Sequence, residues 1–135
     1  MRGNIMKIMV CYDGSEVSKD AVRLAGEHAK VFSGKVYLIG SMKGGMGVPR
    51  GDFEVREDDL EKQKTVLREA GVDCQASLLV RGLDAGEDLV EYAAENQMDE
   101  IIIGVRRRSK VGKLLFGSTA QYVILEAPCP VITVR

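Results

Sequence analysis

Five short runs rich in β-branched and apolar residues alternate along the chain with four stretches at helical spacing. This alternation limits the fold more than any other feature of the 135 residues. "NIMKIMVCY" (4–12), "KVYLIGSM" (35–42), "CQASLLV" (74–80), "DEIIIG" (99–104) and "PVITVR" (130–135) read as strands. The second, fourth and fifth are almost continuously apolar at their centres, the pattern of strands covered on both faces. Four helices are expected between them. Over 15–33, Ala21, Leu24, Ala25, His28 and Phe32 share a face, and Gly34 is placed as the stop. Over 54–70, Leu60, Val66, Leu67 and Ala70 make a thin apolar stripe in a charge-rich segment that ends at Gly71. "DAGEDLVEYAAEN" opens with Asp84 and Glu87 spaced as a capping box. "STAQYVILEA" offers Ala120, Val123, Ile124 and Ala127 and stops before Pro128.

Strand–helix alternation implies parallel strands joined by right-handed crossovers. The expectation is one α/β domain over 1–135, with a five-stranded parallel sheet in the order 3-2-1-4-5 and helices on both faces. The winding then reverses between the first and fourth strands, and a ligand crevice belongs at their carboxyl ends. Those ends are "CYDGS" and "IIIGVRRR". The glycine-rich stretch 42–53 is long for a strand-to-helix connection and reads as a surface loop or a lid.

Composition narrows the function classes. Apolar residues make up 45%, enough for one sizeable core, and there is no apolar run near the length of a membrane span. The formal charge of −1 provides no overall attraction to nucleic acid or anionic lipid, so any basic role must be local. Cys11, Cys74 and Cys129 lie far apart, with no metal-ligand spacing. With no secretion signal read at the start, they point to a reducing cytoplasm.

The basic stretch "GVRRRSKVGKLLFGST" (104–119) carries the chemistry. It is not a P-loop: the first glycine of that motif would fall on Arg107, and Lys113 is followed by Leu114. After the first strand, "DGSEVS" lacks both the dinucleotide fingerprint and the paired glycines of an adenylating loop. What remains has two parts. Gly104 ends a strand, where the backbone can be approached closely. Gly117-Ser118-Thr119 opens the last helix, whose unpaired amides and positive dipole end suit a phosphate. Arg106, Arg107, Arg108, Lys110 and Lys113 lie between.

On these residues the chain resembles the universal stress proteins of the UspA superfamily along essentially its whole length. "IMVCYDGSEVSKDAV" and "APCPVITVR" are similar to the family's opening and closing segments. Gly104, position 107 and Gly117-Ser118 reproduce the spacing G-x2-G-x9-G-[ST] of the nucleotide-binding branch, with Arg107 for the second glycine. The resemblance implies a Rossmann-like fold of the adenine nucleotide alpha hydrolase type and a ligand of the ATP, ADP or AMP class, with or without Mg2+. Asp13 would then lie at the adenine and ribose, and the backbone near Ser41 would line the base pocket. Ile103 and Gly104 would flank the ribose, and Gly117, Ser118 and Thr119 would take the phosphates. Arg107 is open to two readings: a block where positive φ is required, or a clamp forming charge-assisted bonds to phosphate. The resemblance also implies a homodimer through 130–135, the strand at a sheet edge.

The same residues also fit other roles. Asp13 suits a turn cap, and Ser118 suits a helix cap. His28 reads as a core or half-buried ring, with no second titrating group suggested at the crevice, the cysteines as packing residues, and Phe116 as packed inward. Slow ATP hydrolysis or autophosphorylation lacks an evident general base. A nucleic-acid surface lacks interleaved aromatics. A nucleotide-free dimeric interaction protein is the remaining alternative.

Overall fold

A computed structural model describes residues 5–105 and 116–135. The strands are β1 (Lys7–Cys11), β2 (Lys35–Ser41), β3 (Asp73–Leu79), β4 (Glu100–Gly104) and β5 (Val131–Val134). The helices are α1 (Glu16–Phe32), α2 (Arg50–Glu69), α3 (Ala85–Glu95) and α4 (Ser118–Glu126). All four strand pairings are parallel, in the order β3-β2-β1-β4-β5, as the alternation requires.

Because side chains alternate across a sheet, β1 divides its residues between two cores. Ile8, Val10 and Tyr12 join Ala21, Val22, Ala25 and Ala29 of α1 and Leu60 and Leu67 of α2. Met9 and Cys11 face the other way, against Leu89 and Ala93 of α3 and Ala120 and Val123 of α4. β1 and β4 are the most deeply buried strands. β5 is apolar in sequence but only half-buried, since as an edge strand it is paired on one side alone.

Several local expectations are corrected. The buried face of α1 runs through Ser18, Ala21, Val22, Ala25, Gly26 and Ala29, which rotates Phe32 out to 55% exposure. Its left-handed terminal residue is Ser33 rather than Gly34, whose amide donates to the Ala29 carbonyl at 2.8 Å. α2 begins at Arg50, just after Pro49, so it takes up the end of the stretch read as loop. The loop shrinks to 42–49, and its start is tied down by Met42 N–H to Leu79 O (2.9 Å) and Gly82 N–H to Lys43 O (3.1 Å). The stripe of α2 keeps Leu60 and Leu67, while Val66 and Ala70 are exposed. Asp84 is the N-cap of α3 but makes no side-chain cap bond; its carboxylate pairs with Lys43 at 3.3 Å.

Candidate functional site

β1 and β4 are neighbours from which the chain departs in opposite directions, and the sheet opens between their carboxyl ends. There the structure has a crevice of about 360 Å3. Asp13, Ser41, Ile103, Gly104, Gly117, Ser118 and Thr119 all line it. The size falls in the range of small-ligand sites, roughly 300–1,000 Å3. Arg107 and its basic neighbours lie outside the described residues.

The α4 end is shaped to take an anion. Gly117 is the N-cap, with φ −65° and ψ 160°, and has no side chain with which to cap the helix. Ser118, expected as a cap, is instead the first helical residue. The earliest intrahelical bond runs from Gln121 N–H to Gly117 O at 3.0 Å. The amides of Ser118, Thr119 and Ala120 therefore have no partner within the helix. They face a crevice at the positive end of the helix dipole. Among the described residues, a Cβ on Gly117 would meet nothing within 4 Å, so that mouth is open to them.

Gly104, at the crevice, also makes room for a neighbouring helix. A Cβ there would lie 2.7 Å from Val17 Cγ1 and 3.0 Å from the Val17 carbonyl group. Its missing side chain lets α1 close onto β4, and the crevice gains its floor as a consequence. Ile103 is buried beside it.

At the β1 end, the Asp13 carboxylate accepts the Ser15 amide at 2.9 Å, and Ser15 in turn caps α1 by accepting from the Ser18 amide at 3.2 Å. Gly14, at φ +85°, makes the turn. The capping role of Asp13 is thus realised in a residue that also faces the crevice. The Ser41 hydroxyl is turned away, donating to Asp88 Oδ2 at 2.6 Å. Asp88 is fully buried and is matched by Arg81 Nε at 2.5 Å. This network anchors the end of β2 to α3 and leaves the main chain near Ser41 as the surface a ligand would meet.

Sequence reasoning missed Tyr12, Arg56, Ala85 and Leu89, which also line the crevice. Arg56 had a signal: it lies four residues before Leu60 and eleven before Leu67, on the buried stripe of α2. Tyr12 donates to Asp59 Oδ2 at 2.9 Å, and burial, followed by that carboxylate, raises its pKa. Burial, with smaller contributions from Cys129 and Asp13, pushes the Cys11 thiol up to about 12. Both groups are neutral at pH 7, so Cys11 is a packing residue and not a thiolate.

His28 Nδ1 lies 2.8 Å from Glu100 Oε1. Glu100 begins β4, at the opposite end of that strand from Gly104, so the pair is remote from the crevice. Phe116 is 43% exposed rather than packed inward. Among the described residues no cluster of three potential metal ligands occurs, and no helix is long and apolar enough to cross a membrane.

A family model described as the universal stress protein family matches residues 4–135. A universal stress protein of Thermus aquaticus is 33% identical, with 95% of this chain and 97% of that protein covered. A universal stress protein structure from Archaeoglobus fulgidus superimposes with a TM-score of 0.88 at 32% identity, covering 98% of this chain and 99% of the other. A structure of the universal stress protein from the same organism in complex with dAMP gives 0.82 at 29% identity, with 98% of each chain covered.

Proposed function

The chain belongs to the universal stress protein family, and on that premise we propose that it binds ATP or a related adenine nucleotide, ADP or AMP, in the crevice between β1 and β4. The observation that carries this reading is the uncapped start of α4, three amides converging on an open mouth. A relative 29% identical over nearly the whole chain was solved with dAMP, which supports the same ligand class. Gly117, Ser118 and Thr119 hold the phosphate, Ile103 and Gly104 flank the ribose, and Asp13 and the main chain near Ser41 border the sugar and base. Arg107 belongs to the same proposed set, beside the phosphates. A Mg2+ ion would enter with a polyphosphate, held chiefly by its oxygens, since this cation rarely uses an all-protein cage.

The role is regulatory. Nucleotide occupancy changes the surface around 42–53, and a cytoplasmic partner reads that surface. The protein acts as a homodimer joined through 130–135, supported by the apolar, half-buried edge that β5 presents and by exposed Leu125 on the preceding helix. Light scattering at micromolar concentration then gives twice 14.8 kDa, and a 14.8 kDa particle contradicts the dimer.

Isothermal titration with ATP, ADP and AMP at low salt tests the binding. Micromolar affinity for at least one is expected, and no heat with any of them overturns it. Hydrogen exchange across 42–53 that ignores bound nucleotide would remove the regulatory part alone.

A further inference from the structure

We infer that Asp88 is a positioning residue for the crevice: acting through the Ser41 hydroxyl, it sets the wall that the end of β2 presents to a bound nucleotide. This rests on the nucleotide reading above. β1 and β2 pair as far as Cys11 and Ile39, and the Tyr12 amide then donates to Ile39 O at 2.9 Å. Among the described residues no further backbone bond joins β2 to β1, so β2 runs on past its neighbour and Ser41 borders the crevice. On its other side the strand is still held, with Ser41 in register with Leu79 and the Met42 amide donating to Leu79 O at 2.9 Å. One edge of this wall therefore lacks the support that a paired strand gives.

The Ser41 side chain makes up the loss. Its hydroxyl donates to Asp88 Oδ2 at 2.6 Å. The carboxylate is itself clamped: Arg81 Nε donates to Oδ1, and Arg81 Nη2 donates to the Asp88 carbonyl at 3.1 Å. Arg81 Nη1 reaches on to Glu95 Oε1 at 3.0 Å, which ties the guanidinium to a second point of α3. Asp88 is fully buried and does not line the crevice, although Ala85 and Leu89 of the same helix do. It acts on a ligand only through Ser41.

Stability alone does not account for this carboxylate. A buried ion pair offsets its own desolvation at best, and apolar residues of like volume often stabilise as well or better. Leu89 and Ala93 already pack α3 against the sheet. A hydrogen bond is directional where apolar packing is not, so what Asp88 adds is a fixed distance between α3 and the unsupported end of β2.

Titration with AMP of the wild type, Ser41→Ala, Asp88→Ala, the double variant and Asp88→Asn tests the inference, with thermal melts to show that each is folded. Ser41→Ala and Asp88→Ala are each expected to raise Kd about tenfold, the contribution of one hydrogen bond. The double variant is no weaker than either, since both remove the same link. Asparagine keeps an oxygen for Arg81 and offers its amide to the Ser41 oxygen, so Asp88→Asn binds within about threefold of the wild type. If Asp88→Ala does not fold, Asp88→Val fills the space and still removes the acceptor. A folded variant without the carboxylate that binds AMP as the wild type does overturns the inference, whatever its Tm. Losses that add in the double variant overturn it too, because Ser41 would then meet the ligand independently of Asp88. Asp88→Asn binding as weakly as Asp88→Ala is a third contrary result. A wild type that binds none of AMP, ADP and ATP removes the nucleotide reading itself, whereas wild-type binding that these variants leave unmoved removes only the role of Asp88.

Discussion

Replacing Gly117 with valine separates binding from folding with unusual clarity. At φ −65° and ψ 160° the backbone accepts any L-residue, and a Cβ added there meets no atom of the described residues within 4 Å. The new side chain therefore strains nothing within the described residues and stands in the mouth of the crevice. Glycine is a better N-cap than valine, so α4 loses on the order of 1 kcal/mol, a shift of a few degrees in Tm. The loss in binding is much larger. Phosphate held by the amides of Ser118 and Thr119 makes two charge-assisted hydrogen bonds, each contributing about 1.5–3 kcal/mol. Losing both removes at least about 3 kcal/mol, or more than 100-fold in affinity. Isothermal titration with AMP at low salt, beside a thermal melt, measures the two effects independently. A folded Gly117→Val protein that binds AMP within threefold of the wild type refutes the argument, and a collapse of Tm would refute the claim that the site is open.

Gly104→Ala reverses the pattern: its methyl group runs into Val17, and overpacking lowers stability by about 1–3 kcal/mol, seen as a lower urea midpoint. Asp88→Ala takes the acceptor from Arg81 Nε and the Ser41 hydroxyl; because Arg81 is partly exposed and keeps Glu95 at 3.0 Å, the cost is that of unsatisfied donors, about 1–3 kcal/mol, seen as a Tm lower by several degrees. The thiols set the alkaline limit, burial pushing Cys11 and Cys74 up to about 12 and Cys129 to about 11 from the ordinary 9.0. Below pH 9 both folded and unfolded chains keep these protons; above it the unfolded chain releases them first, so stability falls between pH 9 and 12. Urea melts at pH 8, 9.5 and 11 show this as a declining midpoint, and a flat midpoint contradicts it.

The sheet order was legible because β-branched runs and helical stripes alternate without ambiguity, and handedness leaves few ways to wind them. The crevice followed, since its position depends on strand order and not on side-chain detail. Gly117 was legible as an uncapped helix start because a glycine opening a helix leaves the cap position bare. Where reading failed, contacts between distant segments decided. Gly104 was legible as a strand end at the crevice, but the atom in its Cβ space belongs to Val17, 87 positions earlier in a helix whose rotation could not be fixed from periodicity. His28 and Glu100 meet across 72 residues, so neither announced the other. Asp84 fits a capping box locally, yet Lys43 takes its carboxylate. Arg56 was hidden by composition: in a helix crowded with charge, one more arginine looks solvated unless its register with Leu60 and Leu67 is followed past the end of the apolar stripe.

The central claim is that the first amides of α4 grip the phosphate of a nucleotide lying across β1 and β4. A crystal structure grown with excess AMP tests it most directly. The account predicts phosphate oxygens about 3 Å from the Ser118 and Thr119 nitrogens, with the base towards β2. AMP absent from that mouth, with the Arg107 guanidinium seated on those amides, would contradict it.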